Sequence, residues 1–225
     1  MGLLLFAIAF FAFLGIGFLI GKSQSKPVAK VALPPEQLTL VIVTVDHLDG
    51  ANPRLLSVTA AFLKSGESPA AAFKPLYPSV DKPENSPDLS ASFSLTADRL
   101  PTDGFWSALK KYNFLWNGYL IMDTAGATTF AQWTGIPDPD SSNAQSAITP
   151  EQVKVISDRQ TEYLNSLCDQ IQNRALIELP EPVWSTLVPN HMRTDLSFES
   201  FVSYWDLFAN PEKSLSCSVV NLATK

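Results

Sequence analysis

The chain is poor in the residues that usually advertise chemistry. Its 225 residues include only two histidines and two cysteines. His47 and His191 stand alone, and Cys168 and Cys217 form no CxxC, so no zinc-type spacing exists. GxSxG, the P-loop, GxGxxG and HExxH are all missing, which removes the local signatures of serine hydrolases, nucleotide binders and zinc proteases. No basic cluster occurs and the formal net charge is −6. A phosphate backbone demands Lys/Arg patches, so nucleic acid is not an expected partner. Glycine is scarce, ten against seventeen prolines, which favours fixed loop positions over flexible linkers. There is no internal repeat and no low-complexity tract.

What the chain does contain begins with Leu3–Ile20, LLLFAIAFFAFLGIGFLI, which carries no charge. As a helix it would reach roughly 27 Å, enough to cross a bilayer core. A signal peptide is the rival reading, but no basic residue precedes the run and no clean cleavage site follows it. We read residues 1–21 as a retained membrane anchor, 22–37 as a proline-bearing tether and 38–225 as one α/β domain, long enough for a full core. Lys22, Lys26 and Lys30 all follow the span, which by charge bias alone favours a cytoplasmic domain.

The domain opens on LTLVIVTV, Leu38–Val45, whose β-branched residues suit a strand covered on both faces. Asp46–Pro53 supplies turn residues, and Arg54–Val58 resumes as a second strand. Lys64–Asp98 reads as loop with at most one short strand, near Ala72–Tyr77. TDGFWSALKKYN predicts a short helix, Gly118–Asp123 a buried strand, and Thr124–Thr134 a helix stopping at Gly135. Ile136–Ala147 reads as a polar loop. Thr149-Pro150-Glu151-Gln152 is a capping box with proline at the first helical position. The helix it starts should run to about Arg174, with Val153, Ile156, Gln160, Leu164, Leu167 and Ile171 on one face. EPVWSTLVP and Phe198–Phe208 read as two further helices, the second capped by Ser197. Leu215–Val220 closes the chain as a strand. Strands alternating with helices predict a three-layer α/β/α domain around a mixed sheet.

Three groups of residues merit a functional reading. Asp46, His47 and Asp49 follow the first strand, where α/β sites often form; they read either as a metal or acid/base cluster or as turn residues holding their own loop. His191–Asp195 carries a similar mixture and the same two readings. Gln160 is the one polar member of the long helix's apolar stripe, so it either satisfies a buried backbone group or points into a site. Its neighbour Arg159 has the planar fork that suits a pyrophosphate, or else is an ordinary solvated helix residue. The two cysteines are either a disulfide, if the domain lies outside the membrane, or two small buried apolar residues.

Four pieces of the soluble chain resemble the LytR-CpsA-Psr (LCP) family. These are LTLVIVTVDHLDGANPRLLSV, FWSALKKYNFLWNGYLIMDTAGATTFAQWTGI, DRQTEYLNSLCDQI and LPEPVWSTLVPNHMRTDLSFESFVSYWDLF. They resemble, in order, the family's opening strands, its helix–strand–helix segment, its Arg-Gln helix start and its closing Thr-Asp/Asn-Leu-Ser cap. The resemblance implies a membrane-anchored envelope protein with its domain outside the cell. It further implies transfer of glycopolymers from a polyprenyl-pyrophosphate carrier to the cell wall, using a metal-binding Asp and several Arg. The charged set is mostly replaced here. Leu38 stands where the Asp is expected, beside a retained Thr39, and Thr59-Ala60-Ala61 stands for the Pro-Arg-Asp after the second strand. Gly135 stands alone for a paired glycine, and DPDSSNAQSAITP replaces a basic loop with an acidic one. Arg159 and Gln160 survive as the ligand-binding pair. The expectation is a degenerate member without transferase activity and without a cofactor, Mg²⁺ being needed only if it were active. Its partners would be the membrane through residues 3–20 and a polyprenyl-phosphate lipid or cell-wall glycan. The alternatives are an active transferase with rearranged ligands, or an interaction domain unrelated to envelope polymers.

Overall fold

A computed structural model describes residues 37–50, 52–65, 68–79, 87–113, 115–134, 150–173, 181–209 and 215–220. The expected anchor at residues 1–21, most of the tether, Gly135 and the loop that follows it lie outside the described residues. Among the described residues no helix is long and apolar enough to cross a membrane.

The domain is built on a six-stranded mixed sheet in the order β5-β4-β1-β2-β3-β6. The strands are β1 Gln37–Val45, β2 Leu55–Lys64, β3 Ala70–Tyr77, β4 Gly118–Asp123, β5 Met192–Thr194 and β6 Ser216–Val219. Among the described residues six helices accompany them: α1 Leu89–Ser92, α2 Asp103–Lys110, α3 Thr124–Thr134, α4 Pro150–Asn173, α5 Glu181–Leu187 and α6 Phe198–Ala209. β1 is central, antiparallel to β2 and parallel to β4.

Alternation along β1 sends its side chains to two cores. Leu38, Leu40 and Ile42 join one, with Ala127 of α3, Leu164 and Ile171 of α4, Trp184 and Leu187 of α5, and Phe201 and Trp205 of α6. Val41, Val43 and Val45 join the other, with Leu89 of α1 and Phe105, Trp106 and Leu109 of α2. Helices therefore cover both faces, which is why the first strand could be apolar throughout. Full burial of a side chain such as Phe105 or Leu109 contributes roughly 1.5–3 kcal/mol.

The Ser197 cap acts as the sequence suggested, while Thr149 and Gly135 lie outside the described residues. Ser197 Oγ accepts from Ser200 N–H at 3.2 Å at the start of α6. α4 begins at Pro150 and keeps Leu164 and Ile171 buried. Two differences have physical causes. β2 continues through Thr59, Ala60 and Ala61 to Lys64, so these three residues lie inside the strand rather than after it. They are small and buried, and pairing with both β1 and β3 holds them extended. β5 is a three-residue strand that antiparallel pairing with β4 stabilises.

The cysteines are bonded: Cys168 of α4 and Cys217 of β6 form a disulfide with Cα atoms 5.2 Å apart. Gln172 Nε2 donates to Cys217 O at 3.2 Å, adding a second tie between helix and edge strand.

Candidate functional site

The long helix α4 packs against β3 and β6 and carries both ligand-binding candidates. Consecutive helical residues point about 100° apart, so Arg159 and Gln160 cannot share a direction. Gln160 turns to the sheet, where its Nε2 donates to Thr59 Oγ1 at 2.9 Å. Thr59 is itself buried, at 5% exposure. The other end of the same amide, Gln160 Oε1, is buried and has no hydrogen-bond partner. A buried acceptor left unpaired costs about 1–3 kcal/mol, so it is a place where a donor from a ligand would be favoured. Arg159 lies on the exposed side of the helix.

Thr59 stands opposite Ile42 in the β1–β2 ladder, and further along the same face the layer is apolar. Leu38 is 2% exposed and pairs with Leu63 across the β1–β2 ladder. Both side chains join Leu40, Ala61, Phe73 and Leu164 in the core under α4. Positions where the family resemblance leads one to expect carboxylate or guanidinium are thus part of a packed apolar layer. Thr39, next to Leu38, is buried on the opposite face, and its N–H donates to Asn117 Oδ1 at 2.7 Å. Asn117 N–H returns a bond to Thr39 O at 3.0 Å. This clamp on the start of β1 was missed in the sequence, where Asn117 reads only as a loop residue.

A second polar group lies at the other end of β1. Asp46 Oδ1 accepts from His47 N–H at 2.9 Å, from Arg54 N–H at 2.7 Å, and pairs with His47 Nδ1 at 2.7 Å. Asp49 pairs with Arg99 at 2.7 Å. The Asp46 contacts close the β1–β2 loop, as turn residues do, and the Asp49–Arg99 pair ties that loop to the turn before α2. On the neighbouring strand, Asp123 is 7% exposed and pairs with His191 Nδ1 at 3.0 Å while accepting from Gly126 N–H at 2.8 Å. Gly126 has to be glycine, since a Cβ there would lie 2.5 Å from His191 O. Asp123 was also missed, although an aspartate closing an apolar strand just before a helix is a recognisable cap. Among the described residues no three His, Cys, Asp or Glu groups converge to hold a metal.

The segment His191–Asp195 splits between roles. Met192 is core, Thr194 Oγ1 donates to Tyr119 O at 2.7 Å, and Asp195 Oδ1 accepts from Tyr119 N–H at 2.9 Å. Burial pushes the Tyr119 phenol above its ordinary value, Asp195 adds to the rise and Arg193 opposes it.

No protein-family model matches the chain, and neither does any curated protein. Solved structures do match. TagT bound to LIIa-WTA superimposes with a TM-score of 0.53 at 9% identity, covering 90% of this chain and 86% of that one. TagT bound to LI-WTA gives 0.51 at 8% identity over 89% and 84%. TagV of B. subtilis gives 0.52 at 10% identity over 84% and 86%. The chain therefore has the LCP-like fold expected from the sequence.

Proposed function

We propose that the protein is a membrane-anchored, LCP-like component of the cell envelope that binds a polyprenyl-phosphate lipid or wall glycan without transferring it. The observation that carries this reading is the apolar layer at Leu38, Ala61 and Leu63, on the same sheet face to which Gln160 turns to bond Thr59 while its Oε1 lacks a partner. Groups that stabilise charge in a transition state are worth about 3 kcal/mol each, so replacing several of them leaves a binding surface with little catalysis. TagT, which shares the fold, has been seen bound to LIIa-WTA and LI-WTA, and this favours a ligand of related chemistry. Gln160 would meet the ligand from the sheet side of α4, and Arg159, on the exposed side of the same helix, would face a phosphate outside it.

The Cys168–Cys217 bridge supports a domain outside the membrane, because disulfides persist in oxidising compartments. The span Leu3–Ile20 would then hold the domain at the surface where lipid-linked polymers occur.

The test uses the full chain in nanodiscs titrated with undecaprenyl phosphate and followed by tryptophan fluorescence. Saturable binding is expected, weakened about tenfold by Gln160→Ala. Absence of binding removes the lipid ligand. Restoration of wall polymer attachment in a strain lacking its own transferases would instead establish an active enzyme.

A further inference from the structure

Where the chain enters the sheet, lysines gather around one exposed apolar side chain. β1 begins at Gln37. Asn117 Nδ2 donates to Gln37 O at 3.4 Å and Asn117 N–H donates to Thr39 O at 3.0 Å, so the segment between α2 and β4 is fastened to that point of entry. α2 closes on Lys110 and Lys111, both exposed. Asn113 then takes a left-handed conformation, φ 55°, which turns the chain out of the helix. Leu115 follows at 54% exposure, the highest of the large apolar side chains described. Its neighbour Trp116 stacks on buried Trp106 with ring centroids 5.7 Å apart, which ties the segment to the second core.

Lys64, the exposed last residue of β2, is the ladder partner of Gln37. Alternation places it on the face of Ala60 and Phe62, the face that α2 covers. Among the described residues Lys64, Lys110 and Lys111 make no ion pair. Asp195, which the β4–β5 register brings to the same end, is bonded to Tyr119 N–H. Three unpaired cations around one exposed leucine stand out in a chain whose net charge is −6.

We infer that this corner docks on an anionic bilayer: Leu115 enters the interfacial zone while Lys64, Lys110 and Lys111 meet the phosphate headgroups. The docking rests on the reading of Leu3–Ile20 as a membrane span and adds a second contact to it. The chain arriving from that span reaches the domain at Gln37, beside the corner. A flexible stretch of about sixteen residues has a mean reach of roughly 20–25 Å, which keeps the corner near the bilayer surface. Leucine suits the boundary of headgroup and acyl chain, and each lysine near an anionic surface raises affinity about fivefold. Other occupants fit less well. Three lysines cannot track a phosphate backbone, and a single exposed leucine makes no patch of the size a protein partner requires.

The full chain with Leu115→Trp is reconstituted in nanodiscs of phosphatidylcholine, alone or mixed with phosphatidylglycerol, with no polyprenyl lipid present. Emission beyond that of the parent reports residue 115. We expect brominated acyl chains to quench this added emission in the mixed discs, and to quench it less in phosphatidylcholine alone or when Lys110→Ser and Lys111→Ser are combined with it. Added emission that brominated lipid leaves unquenched in the mixed discs overturns the docking, even where the chain is retained. Failure of the chain to stay in phosphatidylcholine discs removes the span instead. The corner is then judged by binding of the unanchored chain to phosphatidylglycerol vesicles. Binding should fall about fivefold for each of Lys64, Lys110 and Lys111 changed to serine, and absence of binding, or binding indifferent to these changes, overturns it.

Discussion

Leu38 in the sheet and Gln160 on α4 belong to the same face of the domain and make opposite demands. Leu38 is packed among Leu40, Ala61 and Leu63, whereas Gln160, bonded to Thr59 further along the ladder, leaves an acceptor unpaired. If the Leu38 position were a latent metal site, an aspartate there would be tolerated. If it is plain core, an aspartate is a buried, unpaired charge, which costs several kcal/mol or forces protonation. We expect Leu38→Asp to destabilise the fold by about 3 kcal/mol or more at pH 7. The sign with pH follows. Burial would raise the new carboxyl's folded pKa above its unfolded value, so the variant keeps stability at low pH and loses it as pH rises through that range. Urea midpoints of parent and variant at pH 4 and pH 7 check this. A gap that narrows at pH 7, or that Mg²⁺ closes, would show a site rather than a core.

At the scale of elements, β6 is the weak member of the sheet. It has four residues, alternates exposed and half-buried, and pairs only with β3 at the end of the strand order. Its hold comes from the disulfide to α4 and the Gln172 bond to Cys217 O. A bridge closing a loop of 49 residues contributes about 4 kcal/mol by loop entropy. Cys168→Ala with Cys217→Ala should lower stability by an amount of that order, and amide exchange should rise first in β6 and along Ala70–Phe73, its partner in β3. Uniform loss of protection across β1 and β2 would mean the bridge holds the whole domain rather than its edge. The pairing itself could not be read from spacing, because two cysteines fit a bridge and a core equally well. Long elements were legible: β1 from its β-branched run, α4 from its capping box and apolar stripe. Short ones were not. α1 is one turn of four residues and β5 a strand of three, too brief for any period to show. Ala60-Ala61 is poor in strand propensity, and its two flanking strands make it extended. Of the site, the inward turn of Gln160 was legible from the stripe. The Asn117 clamp, the Asp123–His191 pair and the placing of Lys64 beside Gln37 depend on partners 68 to 78 residues apart or on strand register, which no local pattern carries.

For the whole molecule, if residues 1–21 anchor it as we propose, two signals disagree about which side of the membrane the domain occupies. Lys22, Lys26 and Lys30 follow the apolar run and pull toward the cytoplasm, each a modest bias on insertion. The Cys168–Cys217 bond pulls the other way, because thiols in a reducing cytoplasm stay reduced. The second signal is the heavier one. Charge bias acts once, during insertion, and three lysines spread over nine residues are a sparse cluster, whereas a bridge that helps hold β6 would be under continuous reduction in the cytoplasm. An outside domain would also bring α4 to the wall glycans of the proposed function. The expected result is that protease added to intact protoplasts digests the domain without lysis, and that the intact protein runs faster on a non-reducing gel than on a reducing one. Protection until lysis, with both thiols open to alkylation under denaturation, would place the domain inside and remove the wall as its ligand source.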